Sequence, residues 1–216
     1  GEKQLLEAVH RCYASLFTDR AIKYRHDMGF TDMDVAISVG VQQMVRSDKA
    51  ASGVAFTIDP DSGFENSIII NSVWGLGENI VQGRSTPDEW IVFKPTLSNN
   101  KLHPILKSSC GKKEYTMVYS KKTEGVSVEK TIANFETSTE KQNTFSLSKK
   151  EVVQLAQWCY KIEQHYGMAM DIEWAKDGLN HQLYIVQARP ETVHGKIKKQ
   201  IREIFTLKDA GKLLTK

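Results

Sequence analysis

Apolar residues recur every three to four positions near the start of the chain, which is the spacing of one helix face. This pattern predicts a helix over residues 2–17 and a second helix over Asp19–His26. From Val35 the period changes to two, which predicts a strand over Val35–Val45. The same alternation and runs of β-branched residues predict further strands at Gly53–Ile58, Ser67–Trp74, Trp90–Phe93, Tyr115–Tyr119 and Val126–Ile132.

One later segment carries complete start and stop signals for a helix. Ser148 and Glu151 have the spacing of a capping box, and Leu147 with Val152 has the spacing of a hydrophobic staple. Gly167 then supplies a C-terminal stop, because glycine tolerates the left-handed conformation that ends many helices. The residues expected to form the buried stripe of this helix are Val152, Leu155, Ala156, Cys159, Ile162 and Tyr166.

Two more strands, Met168–Ala175 and Leu183–Ala188, follow this helix. Strands and helices are mixed along the chain without a regular βαβ repeat, so the predicted fold class is α+β, with a mixed or antiparallel sheet and flanking helices. A length of 216 residues, 40% hydrophobic and 25% charged, is typical of a globular protein of one or two domains.

Cysteine usage and charge limit the cellular compartment and the classes of binding partner that are expected. The three cysteines have no CxxC spacing, which favours a reducing, cytoplasmic compartment without disulfides or a thiolate zinc site. No signal peptide and no apolar run of membrane-spanning length is visible. The basic stretch Lys196–Lys216 is interpreted as a solvated linker, so neither nucleic acid nor a membrane is expected as a partner.

The two C-terminal strands carry the densest chemical signal. Side chains alternate along a strand, so Asp171 and Glu173 point the same way, and so do Gln187 and Arg189. The turn dipeptide Asp177-Gly178 folds the second strand back on the first as a hairpin. One sheet face then presents hard oxygen ligands beside a fixed positive charge, which suits magnesium–polyphosphate. An exposed hairpin held by salt bridges is the alternative reading of the same residues.

Two other segments are candidates for nucleotide contacts. Glu78 follows a Gly-x-Gly turn and has the chemistry to hold a ribose hydroxyl, although a tight strand-to-helix turn explains the glycines equally well. Gln43, Met44 and Val45 end a predicted strand, where exposed backbone can meet an adenine edge; core packing is the alternative. The chain lacks GxxxxGK[ST] and is therefore not a P-loop protein.

Seven stretches, taken in order, resemble the ATP-binding domain of the phosphoenolpyruvate synthase and pyruvate phosphate dikinase family. They cover nearly the whole chain and are residues 14–21, 41–48, 52–59, 74–78, 86–89, 170–175 and 185–192. The resemblance is specific because so many ordered matches do not arise by chance. It implies an ATP-grasp fold, in which two α+β subdomains clamp ATP, and it implies a requirement for magnesium.

The resemblance also implies a role for each candidate residue. Gln43, Met44 and Val45 line the adenine site, and Glu78 meets the ribose. Glu173 and Gln187 hold magnesium with Asp171 in support, so that Asp171, Gln187 and Arg189 also belong to the nucleotide site. Arg189 contacts the terminal phosphates, and Arg189 and Glu173 are the expected catalytic residues.

The implied reaction converts ATP, pyruvate and water to AMP, phosphoenolpyruvate and phosphate through a phosphohistidine on a separate swivelling domain. Residues 1–194 match the C-terminal part of the ATP-grasp module, and residues 195–216 match a linker and the truncated start of the swivelling domain. The expected partners are ATP, pyruvate through other domains, the upstream ATP-grasp subdomain and the histidine domain of the same enzyme.

The upstream subdomain and the phosphorylatable histidine are not recognisable in the sequence, so the chain alone is expected to be a catalytically inactive fragment. Three alternatives stay open: the ATP module of a pyruvate phosphate dikinase, that of a related phosphotransferase, and a stand-alone nucleotide-binding module without catalysis.

Overall fold

A computed structural model describes residues 1–30, 35–99, 101–120 and 132–192 of the chain. It divides the chain into two compact units, Gly1–Met44 and Val45–Lys216. The predicted domain boundary between residues 194 and 195 lies outside the described residues, as does most of the predicted strand Val126–Ile132. Within the described ranges, no helix is both long and apolar enough to cross a membrane.

The first unit confirms both predicted helices. It contains α1 (Glu2–Ala14), a short 3₁₀ turn (Ser15–Phe17) and α2 (Asp19–Asp27). No residue of α1 is buried, and Phe17 just beyond it is 73% exposed. Helical periodicity therefore predicted the local conformation correctly, whereas burial of that face depends on contacts that the periodicity does not specify.

The predicted strand over Val35–Val45 is wrong. Residues 35–45 carry no regular secondary structure, and Val41 is 71% exposed. An alternating sequence becomes a strand only when a neighbouring strand accepts its N–H and C=O groups. No described strand pairs with this segment, so it forms no β-ladder despite its alternating sequence.

The elements of the second unit are β1 (Ala51–Phe56), β2 (Ser67–Trp74), α3 (Glu78–Val81), β3 (Asp88–Phe93), β4 (Ile105–Ser109), β5 (Tyr115–Tyr119), β6 (Ile132–Glu136), α4 (Thr139–Gln142), α5 (Lys149–Tyr166), β7 (Met170–Lys176) and β8 (Leu183–Pro190), with 3₁₀ turns at Ser47–Lys49 and Lys94–Thr96. Six strands form one sheet with the order β4-β3-β2-β1-β7-β8, and β5 and β6 form a separate two-stranded sheet. Every neighbouring pair in both sheets is antiparallel, so the predicted α+β class is confirmed. The strand β4 and the short helices α3 and α4 were not predicted.

Helix α5 covers one face of the large sheet. Its capping box is formed, and Gly167 ends it in the left-handed conformation with φ 67°, as predicted. Of the predicted stripe, Tyr166 is 54% exposed and Ile162 is only partly buried. The four buried positions Val152, Leu155, Ala156 and Cys159 pack with the strand residues Ile68, Ile70, Trp90, Val92, Met170, Ile172 and Trp174. Full burial of each large apolar side chain contributes about 1.5–3 kcal/mol, so this layer supplies most of the core.

A buried ion pair ties β3 to the loop before β5. Lys113 and Asp88 are both 0% exposed, and Nζ lies 2.5 Å from Oδ1. The second carboxylate oxygen of Asp88 accepts hydrogen bonds from the backbone and hydroxyl of Ser146 at 2.8 Å. Each buried charge is thereby both paired and hydrogen-bonded, which is the condition under which such groups are tolerated in a core.

Candidate functional site

The register of the β7–β8 hairpin places all four predicted polar residues on one face. Asp171 lies opposite Arg189, and Glu173 lies opposite Gln187. Residues directly opposite in an antiparallel pair share a face, so the predicted arrangement is confirmed. The ladder shifts by one residue between Glu173 and Trp174. This bulge lies at the end of the polar pairs and leaves Trp174 buried in the core.

Asp171 holds Arg189 in a defined position. The Nε atom of Arg189 donates to Oδ2 of Asp171 at 2.8 Å, and Nη2 lies 2.7 Å from the same oxygen in an ion pair. The carboxylate is 14% exposed and the arginine side chain is 63% exposed. The hydrogen bond and charge of Asp171, with a smaller contribution from Glu173, raise the pKa of Arg189. The salt bridge expected for a purely structural hairpin is therefore formed, and it leaves the guanidinium of Arg189 exposed to solvent.

Glu173 and Gln187 form a second pair with a different character. No described residue makes a hydrogen bond or ion pair with either side chain. Their Cβ atoms stand roughly 4.5–5.5 Å apart in such a pair, so a carboxylate oxygen and an amide oxygen can meet at one ion. In the described part of the chain, no three His, Cys, Asp or Glu side chains form a ready-made metal cage. Magnesium commonly takes only one or two protein oxygens together with substrate phosphates, so this donor pair fits it.

The same sheet face continues past the hairpin. Val54 of β1 lies opposite Glu173, and Asn71 of β2 lies opposite Val54 on the other side. The Oδ1 atom of Asn71 is buried and has no hydrogen-bond partner among the described residues. Sequence reasoning did not single out Asn71, because a lone amide inside an apolar strand carries no motif. It extends the polar row that begins with Gln187.

Glu78 is the first residue of α3 and lies outside the β7–β8 hairpin. It is exposed at the start of α3, and its Oε1 accepts a hydrogen bond from Gln82 at 2.6 Å. Gly75 has φ 85°, and a Cβ there would lie 2.2 Å from the backbone oxygen of Met117. The first glycine of the Gly-x-Gly turn is therefore needed for the close approach of β5, which supports the turn interpretation of this motif.

Gln43, Met44 and Val45 straddle the boundary between the two units. Gln43 and Met44 belong to the first unit, and both are exposed, with Met44 at 63%. Val45 belongs to the second unit, where its carbonyl accepts a hydrogen bond from the backbone of Ser47 at 2.8 Å. The side chains of Gln43 and Met44 are therefore not packed in a core, whereas Val45 is half-buried.

Next to Val45, the chain is tied to the β7–β8 turn. The backbone N–H of Arg46 donates to Oδ2 of Asp177 at 3.1 Å, and the carbonyl of Arg46 accepts from the N–H of Gly178 at 3.0 Å. The arginine side chain forms a two-bond fork with Asp48, at 2.8 Å for each bond, and lies over the ring of Tyr119. The sequence indicated only a turn at Asp177-Gly178, since nothing local connects residues so far apart.

Comparison with known proteins assigns the class. The family model described as the pyruvate phosphate dikinase AMP/ATP-binding domain matches residues 1–209. The chain belongs to this family, so the polar hairpin face lies in a nucleotide-binding domain.

The curated relatives that the chain resembles are phosphoenolpyruvate synthases. The chain is 47% identical to a phosphoenolpyruvate synthase of Synechocystis sp. over 97% of its length, 46% identical to one of Aquifex aeolicus over 96%, and 47% identical to one of Escherichia coli K12 over 99%. These matches cover 26%, 24% and 26% of the relatives. The chain thus spans about a quarter of the length of the curated relatives it matches.

Proposed function

We propose that this chain is the ATP-binding part of a phosphoenolpyruvate synthase, which converts ATP, pyruvate and water to AMP, phosphoenolpyruvate and phosphate. The similarity to the synthases of three bacteria supports this reaction over that of a pyruvate phosphate dikinase. The observation that carries the proposal is the hairpin register, which gathers two carboxylates, an amide and a guanidinium on one face.

The proposed fold is that of an ATP-grasp subdomain. An antiparallel sheet with α5 on one face and polar strand residues on the other supports it. In this proposal the nucleotide lies against the polar face, and a second subdomain of the same enzyme closes over it. A histidine on a swivelling domain then accepts a phosphoryl group and passes it to pyruvate.

Each hairpin residue has a defined task in this scheme. Glu173 and Gln187 hold magnesium, which when bound neutralises charge on the phosphates. Asp171 positions Arg189, because its carboxylate accepts a hydrogen bond from Nε and forms an ion pair with Nη2 on the same edge of the guanidinium. The Nη1 atom of Arg189 has no partner among the described residues and is left to bind a terminal phosphate oxygen. Charge developing on the transferred group is thus met by a cation that is already oriented.

The remaining contacts are those of the nucleoside. Glu78 is proposed to bind the ribose, and its exposed carboxylate is available for a hydroxyl donor once Gln82 is displaced. Gln43, Met44 and Val45 are proposed to border the adenine, which the exposure of Met44 supports.

The proposed setting is a reducing, cytoplasmic compartment. All three cysteines lie in the described part of the chain and are free, with Cys159 buried. Burial raises the pKa of the Cys159 thiol to about 12, so this thiol stays protonated and unreactive at neutral pH.

The test is a pair of charge-removing substitutions in the complete enzyme that carries this chain. Glu173→Gln is expected to lower the rate of phosphoenolpyruvate formation by roughly 10²-fold and to raise the magnesium concentration that the enzyme requires. Glu89→Gln is the matched control, because Glu89 lies on the same sheet face, half-exposed and paired with Lys107 at 3.1 Å. Equal and mild effects at both positions would contradict the proposed metal site and favour a structural hairpin.

A second measurement separates the synthase from the dikinase. The synthase uses water as the second phosphoryl acceptor and releases phosphate, whereas a dikinase uses phosphate and releases pyrophosphate. Phosphate release without added phosphate is therefore expected, and a strict requirement for phosphate with pyrophosphate as product would contradict the proposal.

A further inference from the structure

We infer that the turn between β7 and β8 positions the base-recognition backbone at Val45 by clamping Arg46, which makes Asp177 and Gly178 determinants of base selectivity. The inference rests on the proposed ATP-binding function and adds to it two residues that touch neither phosphate nor metal. Both belong to the same hairpin that carries Glu173 and Gln187.

Both backbone groups of Arg46 are bound by this turn. Oδ2 of Asp177 accepts from its N–H at 3.1 Å, and the N–H of Gly178 donates to its carbonyl at 3.0 Å. Two such bonds on one residue fix the position and the rotation of its peptide planes, as a rung does in an antiparallel ladder.

The carboxylate of Asp177 is itself held in place. Its Oδ1 accepts from the N–H groups of Leu179 at 2.7 Å and of Asn180 at 3.3 Å. Hydrogen bonds from the backbone of Leu179, then of Arg46 and Asn180, lower the pKa of Asp177. These bonds hold the charged carboxylate in one orientation, and a neutral or shorter side chain cannot reproduce both its charge and its reach.

Gly178 allows the two segments to approach closely. A Cβ at this position would lie 2.4 Å from the Cβ of Lys49 and 2.7 Å from its backbone carbonyl. Any side chain at residue 178 must therefore push the turn away from the Val45–Lys49 segment, even though the carboxylate of Asp177 remains.

The Arg46 side chain adds a second anchor on the far side. Its fork to Asp48, whose side chain is 8% exposed, and its position over Tyr119 engage the guanidinium within the protein. The backbone and the side chain of Arg46 are thus both held by protein groups.

The consequence falls on Val45, the neighbour of the clamped residue. Its carbonyl is bound to Ser47 at 2.8 Å, and no described residue accepts from its N–H. The carbonyl of Val45 shares a peptide plane with the clamped N–H of Arg46, so its direction is fixed, and its second lone pair can accept from the N6 amino group of adenine but cannot pair with the O6 of guanine. Base selectivity then depends on how firmly the turn holds Arg46.

The experiment compares nucleotide with inorganic tripolyphosphate in the complete enzyme, because tripolyphosphate tests the phosphate and metal contacts alone. Asp177→Ala is expected to raise the Kd for ATP about 10-fold or more and to change the Kd for tripolyphosphate less than about two-fold. The ratio of ATP to GTP affinity should fall as well. Gly178→Ala should give the same pattern through separation of the segments. Leu179→Ala is the matched control, since its side chain is 61% exposed and only its backbone serves the turn.

Each outcome decides the inference. A selective loss of ATP affinity in either turn variant, with Leu179→Ala unchanged, supports it. Parallel loss of ATP and tripolyphosphate, or no change in either, shows that the turn is only structural and overturns it. A wild-type enzyme that binds neither ligand would instead refute the proposed function, so the two failures are distinguishable.

Discussion

Replacement of Arg189 by lysine separates a catalytic role from a structural role for the most exposed charge of the hairpin. Lysine keeps the positive charge but loses the planar fork. That fork now donates one hydrogen bond to Asp171 through Nε, holds Nη2 2.7 Å from the same oxygen and leaves a further edge for phosphate. The arginine side chain is 63% exposed, so screening limits the contribution of the pair to stability. We expect a loss of about 0.2–1 kcal/mol in unfolding free energy.

The expected effect on catalysis is larger than the effect on stability. Loss of one oriented, charge-assisted hydrogen bond to a terminal phosphate should lower turnover roughly ten-fold or more, which corresponds to about 1.4 kcal/mol of transition-state stabilisation. A stability loss of the stated size moves the Tm of a domain of this length by at most about 4 °C. The substitution is therefore expected to change the Tm only slightly while it lowers turnover about ten-fold or more.

Both quantities are measured on one preparation of Arg189→Lys in the complete enzyme, by thermal unfolding and by phosphoenolpyruvate formation. Asp171→Asn is measured in parallel, alone and combined with Arg189→Lys. If Asp171 acts by positioning the guanidinium, the two substitutions will be less than additive in turnover. A lowered Tm with unchanged turnover per folded molecule would refute the reasoning and remove Arg189 from the site.

Two further predictions concern stability. Lys113→Met should destabilise the protein by about 3–5 kcal/mol in urea unfolding, since it leaves the fully buried Asp88 without its counter-charge. Lys112→Met is the control, because Lys112 is the exposed neighbour of Lys113 in the sequence. Equal, small losses of unfolding free energy in the two variants would show that the buried ion pair is dispensable. Burial alone would raise the pKa of Glu151, but hydrogen bonds from Lys176 and the helix cap outweigh it and lower the pKa below its ordinary 4.5. The ionised Glu151 therefore stabilises the fold at pH values above 4.5, and this stabilisation is lost as pH falls through the lowered pKa. Glu151→Gln should thus reduce the fall of unfolding free energy with decreasing pH. An unchanged pH dependence in acid would contradict this.

Some of the structure was determined by short-range sequence alone. The capping box at Ser148 and the stop at Gly167 act within one turn of α5, so they were readable without knowledge of the rest of the fold. The shared face of Asp171 and Glu173 follows from the two-residue period of any strand. The turn between β7 and β8 then brings Gln187 and Arg189 opposite them, as predicted.

Other features were decided only by tertiary contacts. The alternation over Val35–Val45 did not become a strand, because no described strand supplies the partner that a ladder requires. The stripe of α1 formed a helix without being buried. In both cases the spacing of apolar residues fits the predicted element. Strand pairing and helix burial, however, require a partner strand or a packing surface that other parts of the protein must supply.

The site shows the same division. The spacing of the hairpin residues indicated their common face, but not that Asp171 engages Arg189 while Glu173 and Gln187 stay available. The link from Arg46 to Asp177 joins residues 131 positions apart and has no sequence signal. Periodicity reports which face a side chain takes, because that depends on backbone geometry alone. Which groups meet across the fold depends on how strands distant in sequence pair, and only the tertiary structure decides that.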